Sequence, residues 1–441
     1  MTKRVAFHTL GCKLNQAETS VLRTRFLDQG FLEVPYGTQA DLLVINSCSV
    51  TNTADAECRQ VIRRGLKGAP GAAVAVTGCY AQLKPEEIAS IDGVRGVFGS
   101  AEKMDIIQYA REIQHWSSPR IYVSELQKEQ PRFIGARTTL NAERSRAFLK
   151  LQDGCDYNCT FCTIPIARGR GRAMQLDDIA KEMTSLAELG YHEVVLTGIN
   201  LGEYSHTASS SVTSKFIDVV RLIESINPPF RVRISSIEPN TLSRELLDIL
   251  AQSHVFVPHL HVPLQSGSNQ ILRSMKRRYN TEKYRSVVES IRMQMPNAGL
   301  GIDVIVGFPG ESDKLFDESI SFIESLPFTY LHVFTYSERD NTPAATYANQ
   351  VPMSVRKNRT NRLRDLSARR QHEFSMSNIG AVFTVVSDTY NPNTQELTGI
   401  TENNIRVRFN GTAEHHRKAC SVLLTGCSNG HVIGKLVETV P

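Results

Sequence analysis

No stretch of the 441-residue chain stays apolar for the roughly 18 to 20 residues that a membrane-spanning helix needs. The amino terminus, MTKRVAFHTLGCK, is also poor in apolar residues and breaks at Gly11, so no secretory signal is expected and the expected location is the cytoplasm. Strong charge of either sign is lacking, and a net +5 is too mild to select a polyanionic partner by itself. No internal repeat stands out beyond an alternation of strand and helix patterns. The nine cysteines do not read as a disulfide framework, because their number is odd and clustered thiols in a reducing compartment more often hold metals.

What is present is enough apolar material, 41 % of residues, to fill more than one core. Over residues 1–115, β-rich runs (RVAFHTL, DLLVINS, AAVAVTG, VRGVFGS) alternate with helical patterns, which predicts an α/β domain with a parallel sheet. Residues 116–140 are polar, contain proline and lack periodicity, as a linker would. Over 141–371 the runs EVVLTG, FRVRISS, VPHLHVPLQ, LGIDVIVGF and TYLHVFTY alternate with helical patterns and predict a (β/α) barrel or a large part of one. Within it, SHTASSSVTSK (205–215) reads as a floppy loop. Residues 372–441 hold about five short strands and no helix, the pattern of a small all-β barrel of the kind that binds oligonucleotides.

Three of the first domain's apolar runs end in a thiol, at Cys12, Cys48 and Cys79. Parallel strands joined by right-handed crossovers put their carboxyl ends along one edge, so these thiols should meet there. The second domain opens with LQDGCDYNCTFCTIP, in which Cys155, Cys159 and Cys162 follow a strand with C-x3-C-x2-C spacing. Three thiolates on a four-iron cluster leave one iron open to bind something else. A structural zinc knuckle is the alternative, and it would be one ligand short.

That spacing, with Phe161 before the last cysteine, resembles the radical S-adenosylmethionine superfamily. The resemblance widens to the methylthiotransferase family, whose three amino-terminal cysteine motifs look like HTLGCKLN, INSCSVTN and VTGCY. It implies two 4Fe-4S clusters, on Cys12/Cys48/Cys79 and on Cys155/Cys159/Cys162, with S-adenosyl-L-methionine as cofactor. It also implies a terminal TRAM barrel, a tRNA anticodon loop as substrate, an electron donor such as flavodoxin or ferredoxin, and a sulfur donor. HTLGCKLN, RISSIEP and DVIVGFPGE look most like the branch acting on threonylcarbamoyladenosine, whereas the isopentenyladenosine branch more often reads GCQMN. By the same resemblance, Gly198, Asn200, Arg233, Ser235, Glu238, Gln265, Ser266 and Asp303 would contact S-adenosylmethionine. The chain departs from the family at Ala173-Met174, where Ser-Arg is common, leaving Arg170 or Arg172 as substitutes.

Carbon 2 of adenine carries a C–H bond that no side-chain base ionises at neutral pH, which calls for a radical route. The resemblance implies that one S-adenosylmethionine methylates sulfur on the first cluster and a second is cleaved at the other. The alternatives are the same chemistry on isopentenyladenosine or a ribosomal-protein aspartate, and a non-enzymatic iron–sulfur tRNA-binding protein. RKNRTNRLRDLSARR (356–370) is expected to be a basic helix facing the tRNA backbone, helped by Arg406 and Arg408. Cys58, Cys420 and Cys427 are expected to be plain structural thiols, and His259 and His261 core or loop residues.

Overall fold

The computed structural model describes residues 2–126, 132–138, 145–208, 212–428 and 430–439. Its first sheet has six parallel strands, β1 (Arg4–Thr9), β2 (Leu32–Glu33), β3 (Leu42–Ser47), β4 (Ala73–Gly78), β5 (Val94–Phe98) and β6 (Arg120–Tyr122), in the order β2-β1-β3-β4-β5-β6. Helix α1 (Lys13–Asp28) follows β1, α2 (Asn52–Gly68) follows β3 and the short α3 (Cys79–Leu83) follows β4. Strands β3 and β4 are buried along their whole length, as continuous apolar runs flanked by helices should be.

The second domain holds six parallel strands in chain order, β8 (Ala147–Lys150), β9 (Glu193–Thr197), β10 (Arg231–Ile234), β11 (His259–His261), β12 (Gly299–Val306) and β13 (Tyr330–Thr335), with β7 (Ala136–Arg137) antiparallel at the edge beside β8. A bridge at Val232–Phe256 carries the curvature across the gap between the two runs, and one at Gln265–Val304 extends the second run, giving an incomplete barrel. Leu149, Val194 and Leu196 face the outer helices, while Phe148 and Val195 face inward and pack on Ala17 of α1. The first domain's leading helix therefore lies against the inside of the second domain's barrel.

The third unit is a closed barrel of β14 (Val382–Asn391), β15 (Glu396–Ile400), β16 (Arg406–Asn410), β17 (Ala419–Ser428) and β18 (His431–Thr439). It seats on the amino ends of the central strands. A Cβ on Gly299 would stand 2.2 Å from the carbonyl oxygen of Asn403, and Arg231 and Arg233 donate to the carbonyls of Thr384, Ile400, Thr401 and Glu402. No described helix is long and apolar enough to cross a membrane.

Two expectations need correcting. The segment 116–140 is not a free linker: Trp116 is buried, 120–122 is an edge strand of the first sheet and 136–137 pairs with β8, since both sheets had an edge to satisfy. Residues 127–131 and 139–140 of that segment, and the expected boundary at 141, lie outside the described residues. The loop 205–215 is a hairpin, Ser205–Thr207 pairing with Thr213–Lys215, with 209–211 outside the described residues.

Candidate active site between two cysteine triplets

Each amino-terminal thiol follows one of three adjacent strands, β1, β3 and β4, at the edge where helices begin. Glycines make the approach possible. Gly11 has φ +89°, and a Cβ there would lie 2.8 Å from the Cys48 sulfur; Gly78 has φ +98°, and a Cβ there would lie 2.4 Å from the Ser47 carbonyl oxygen. Cys48 and Cys79 are buried and Cys12 is exposed. Burial, then the neighbouring Cys79, pushes the Cys48 thiol up to about 12, with Cys12 adding to the shift.

Arg168 lies beneath this triplet with 1 % of its surface exposed. It ion-pairs with Asp153 at 3.0 Å and Glu18 at 3.2 Å and donates to Asn15. Lys103 also pairs with Glu18, Lys150 with Glu18 at 2.8 Å and Asp153 at 2.7 Å, and Arg172 with Asp153 at 2.9 Å. Four cations thus meet two carboxylates, leaving positive charge next to Cys12 and Cys79. Burial opposes the charge on Arg168, yet Glu18, Cys79 and Asp153 hold its pKa well above the ordinary arginine value. A thiolate-rich anionic group is what such an excess would balance. The network also binds the two domains, because Asn15, Glu18 and Lys103 belong to one and Lys150, Asp153, Arg168 and Arg172 to the other.

The second triplet sits on the loop after β8. Burial pushes the Cys162 thiol up to about 12, with Cys159 and Cys155 as charged neighbours. Arg277 donates to the Cys159 sulfur at 3.0 Å and pairs with Glu238. Asn200 donates to the Cys155 sulfur at 3.9 Å. Among the described residues, only His261, Asp303 and His332 bring three potential ligand atoms within 4.8 Å of one another. Neither cysteine triplet is closed enough for one tetrahedral zinc, whose sulfurs would stand about 3.8 Å apart given Zn–S bonds of about 2.3 Å.

Beside the second triplet is a cleft lined by Val50 and Thr51 just past Cys48, by Phe161 to Ile164 around Cys162, and by Gln265, Asp303, Ile305 and Phe334 to Ser337. Both cysteine-bearing loops therefore open onto one space.

Two family profiles match the sequence: one described as the radical SAM superfamily over residues 149–323, the other as uncharacterized protein family UPF0004 over residues 4–99. The chain is 36 % identical to the threonylcarbamoyladenosine tRNA methylthiotransferase MtaB of Bacillus subtilis (strain 168), covering 99 % of this chain and 97 % of that protein. It is 36 % identical to the protein of the same name from Aquifex aeolicus (strain VF5), over 93 % of this chain and 98 % of that one. The chain belongs to the radical S-adenosylmethionine methylthiotransferases. Among solved structures, the radical S-adenosylmethionine methyltransferase TsrM from Kitasatospora setae shares the fold, with a TM-score of 0.55 at 16 % identity over 78 % of this chain and 77 % of that one.

In this methylthiotransferase the residues expected to contact S-adenosylmethionine divide. Gly198, Asn200, Glu238, Gln265 and Asp303 gather around the second triplet and the cleft; the Asn200 backbone N–H is fixed by Gln152 at 2.8 Å and Gln265 adopts φ +71°. Ser235, half-buried, follows β10 on the same edge. Ser266 is fully buried and its hydroxyl accepts from the Ser268 N–H, so it does not open onto the site. Arg233 is at the opposite end of the barrel, spent on Glu193 at 2.9 Å and on carbonyls of the terminal barrel. In place of the family's Ser-Arg, Met174 is core, Arg172 secures Asp153 and Arg170 stands exposed beside Asp156.

Part of the charge on the basic helix, α5 (Met353–Ser377), is paired, while Lys357 and Arg364 stand exposed. Arg359 is buried against Glu311, Arg356 pairs with Glu338, and Arg362 and Arg369 pair with Asp317 and Glu324 of α4 (Asp313–Glu324). Arg406 and Arg408 pair with Asp388 and Glu396. Cys58 and Cys420 are core thiols, as expected. Sequence reading missed Arg277 and the Glu18–Lys150–Asp153 network, and treated His261 as ordinary although its Nε2 lies 3.0 Å from Asp303.

Proposed function

We propose that this methylthiotransferase adds a methylthio group to carbon 2 of N6-threonylcarbamoyladenosine beside the tRNA anticodon. The observation that carries the reading is the single cleft shared by Val50 and Thr51, next to Cys48, and by Cys162. The name printed for the relatives that match nearly end to end supplies the substrate. We assign one 4Fe-4S cluster to Cys12, Cys48 and Cys79 and a second to Cys155, Cys159 and Cys162. When bound, the clusters and S-adenosylmethionine supply the adenosyl radical and the sulfur that protein side chains cannot.

The chain's own residues bind, orient and exclude water. Asn200 and Arg277 direct N–H donors at Cys155 and Cys159, which favours the charge those sulfurs carry as ligands. Glu238, held by Arg277, together with Gln265, Ser235 and Gly198 forms the edge assigned to S-adenosylmethionine. Arg168 and its network keep the first triplet fixed relative to the second. Residues 1–115, 141–371 and 372–441 form the sulfur-donating, radical and TRAM domains in this reading, the last supplying tRNA contacts in the cytoplasm; electrons come from a flavodoxin- or ferredoxin-type donor and sulfur from a separate donor.

The test is anaerobic incubation of reconstituted protein with S-adenosylmethionine, a reductant and threonylcarbamoyl-modified tRNA, followed by mass spectrometry of the nucleosides. The methylthio derivative of threonylcarbamoyladenosine is expected, from protein holding about eight irons. Product in a parallel incubation with isopentenyladenosine tRNA and none on the threonylcarbamoyl-modified tRNA would refute the substrate assignment, and about four irons would refute the second cluster.

A further inference from the structure

The segment that follows β13 is bonded to both cysteine-bearing loops. At one end, Arg339, 3 % exposed, ion-pairs with Asp55 Oδ2 at 2.9 Å and donates to Asn52 Oδ1 and to the Ser49 hydroxyl, each at 2.6 Å. The Ser49 hydroxyl donates in turn to Asp55 Oδ1 at 2.6 Å, and the Asn52 N–H donates to the Ser337 hydroxyl at 3.2 Å. Ser49 is the residue after Cys48, and Asn52 and Asp55 lie in the first turn of α2. At the other end, the Ala344 N–H donates at 2.9 Å to the carbonyl of Thr160, which stands between Cys159 and Cys162. Ala344 is buried with Met275, Phe308 and Tyr336, and Phe161 packs against the same cluster.

Between these anchors the chain is itself pinned. Asn341 has φ +64°, and Thr342 donates its N–H at 3.1 Å and its hydroxyl at 2.7 Å to the Arg339 carbonyl. The turn runs directly into one 3₁₀ turn, Pro343–Thr346. A short piece of chain bonded in this way keeps a fixed length. A buried ion pair returns little net stability once the cost of desolvating both charges is counted, and its best-attested use is to fix register. The planar fork of Arg339 meets Asp55, Asn52 and Ser49 together in one orientation, whereas an apolar contact would let the loops slide. The Arg168 network grips α1; Arg339 grips the loop after Cys48.

We propose that residues 337–344 are a spacer that sets the separation of the two cysteine-bearing loops, with Arg339 the positioning residue that fixes its hold on the Cys48 loop. The inference rests on the two-cluster reading above. A substrate that takes a radical from one loop and sulfur from the other needs both in place at once, and a displacement of about 1 Å costs on the order of 100-fold in rate. Cleavage of S-adenosylmethionine uses the second loop alone, so releasing the Cys48 loop should spare it.

The experiment compares the cluster-loaded parent with Arg339→Ala and Arg339→Lys on threonylcarbamoyl-modified tRNA. It counts 5'-deoxyadenosine formed per methylthio product, with iron content and hydrogen–deuterium exchange measured on the same samples. Arg339→Ala should keep its iron and its rate of 5'-deoxyadenosine formation, while the ratio of 5'-deoxyadenosine to product rises about 10- to 100-fold. Peptides covering 49–55 should exchange faster and those covering 155–162 as in the parent. Arg339→Lys keeps a charge for Asp55 but loses the fork, so its ratio should fall between the two, and it carries the test should the alanine variant fail to fold. Lys84→Ala, which removes the exposed 2.9 Å pair with Asp340 at the same interface, should match the parent. A ratio within about twofold of the parent in both Arg339 variants, far below the cost of a displaced loop, would overturn the positioning role, as would iron, cleavage and product falling together. A parent that cleaves S-adenosylmethionine but forms no methylthio product would defeat the functional reading instead, so the two failures are distinguishable.

Discussion

Gly11 illustrates how much rests on single side chains. Its φ of +89° and the 2.8 Å gap to the Cys48 sulfur leave no room for a methyl group. On the proposed two-cluster assignment, Gly11→Ala should therefore yield protein that folds but retains only about half the iron, seen in iron and sulfide analysis. Arg277 makes a different kind of contribution, since an N–H donor to a cluster sulfur stabilises the reduced state. Arg277→Ala should shift the second cluster to a more negative potential in an EPR-monitored titration, while Cys159→Ala should abolish 5'-deoxyadenosine formation. Cys155, Cys159 and Cys162 stand out in the sequence because their spacing is local, whereas Cys12, Cys48 and Cys79 are linked only by the strand ends they follow. Arg277 does not stand out, because its sulfur partner is 118 positions away. Arg233 was misplaced because polarity at a strand end says nothing about which end of the barrel a long side chain reaches.

Among the elements, α5 separates a legible pattern from an illegible role. Its helical character and positive charge are plain in the sequence, but the carboxylates that absorb the charge, Glu311, Asp317 and Glu324, come from the segment some 45 residues earlier and only meet it in the fold. Arg359→Ala strands a buried carboxylate and should cost about 3 to 5 kcal/mol in urea unfolding. Arg362→Ala and Arg369→Ala, at exposed pairs, should cost about 0 to 1 kcal/mol. The strands of all three units were legible because apolar runs bounded by glycine and asparagine have few other uses. The pieces between them, β6 and β7, were not, since strands of two or three residues exist only by virtue of the edge they join.

For the molecule as a whole, Glu193 is the knot under the barrel. It is fully buried and pairs with Arg146, Arg231 and Arg233, two of which also hold carbonyls of the terminal barrel. Burial alone would raise its pKa, but Arg233 and then Arg231 pull it well below the ordinary 4.5. Because the folded value is depressed, the stability it lends is complete above about pH 4.5 and is lost as the pH falls below that. Glu193→Gln should lower the melting temperature at pH 7 and flatten the acid side of the stability profile in scanning calorimetry.

The contact of Ala17 with Phe148 and Val195 joins parts of the chain more than a hundred residues apart. A ribosome releases α1 long before the strands it will cover, so its apolar side must wait, shielded within its own small domain or by a chaperone, until β8 and β9 have been made. Synthesis order thus makes the central barrel the late partner, and a chain arrested before residue 197 should be the form most prone to aggregate.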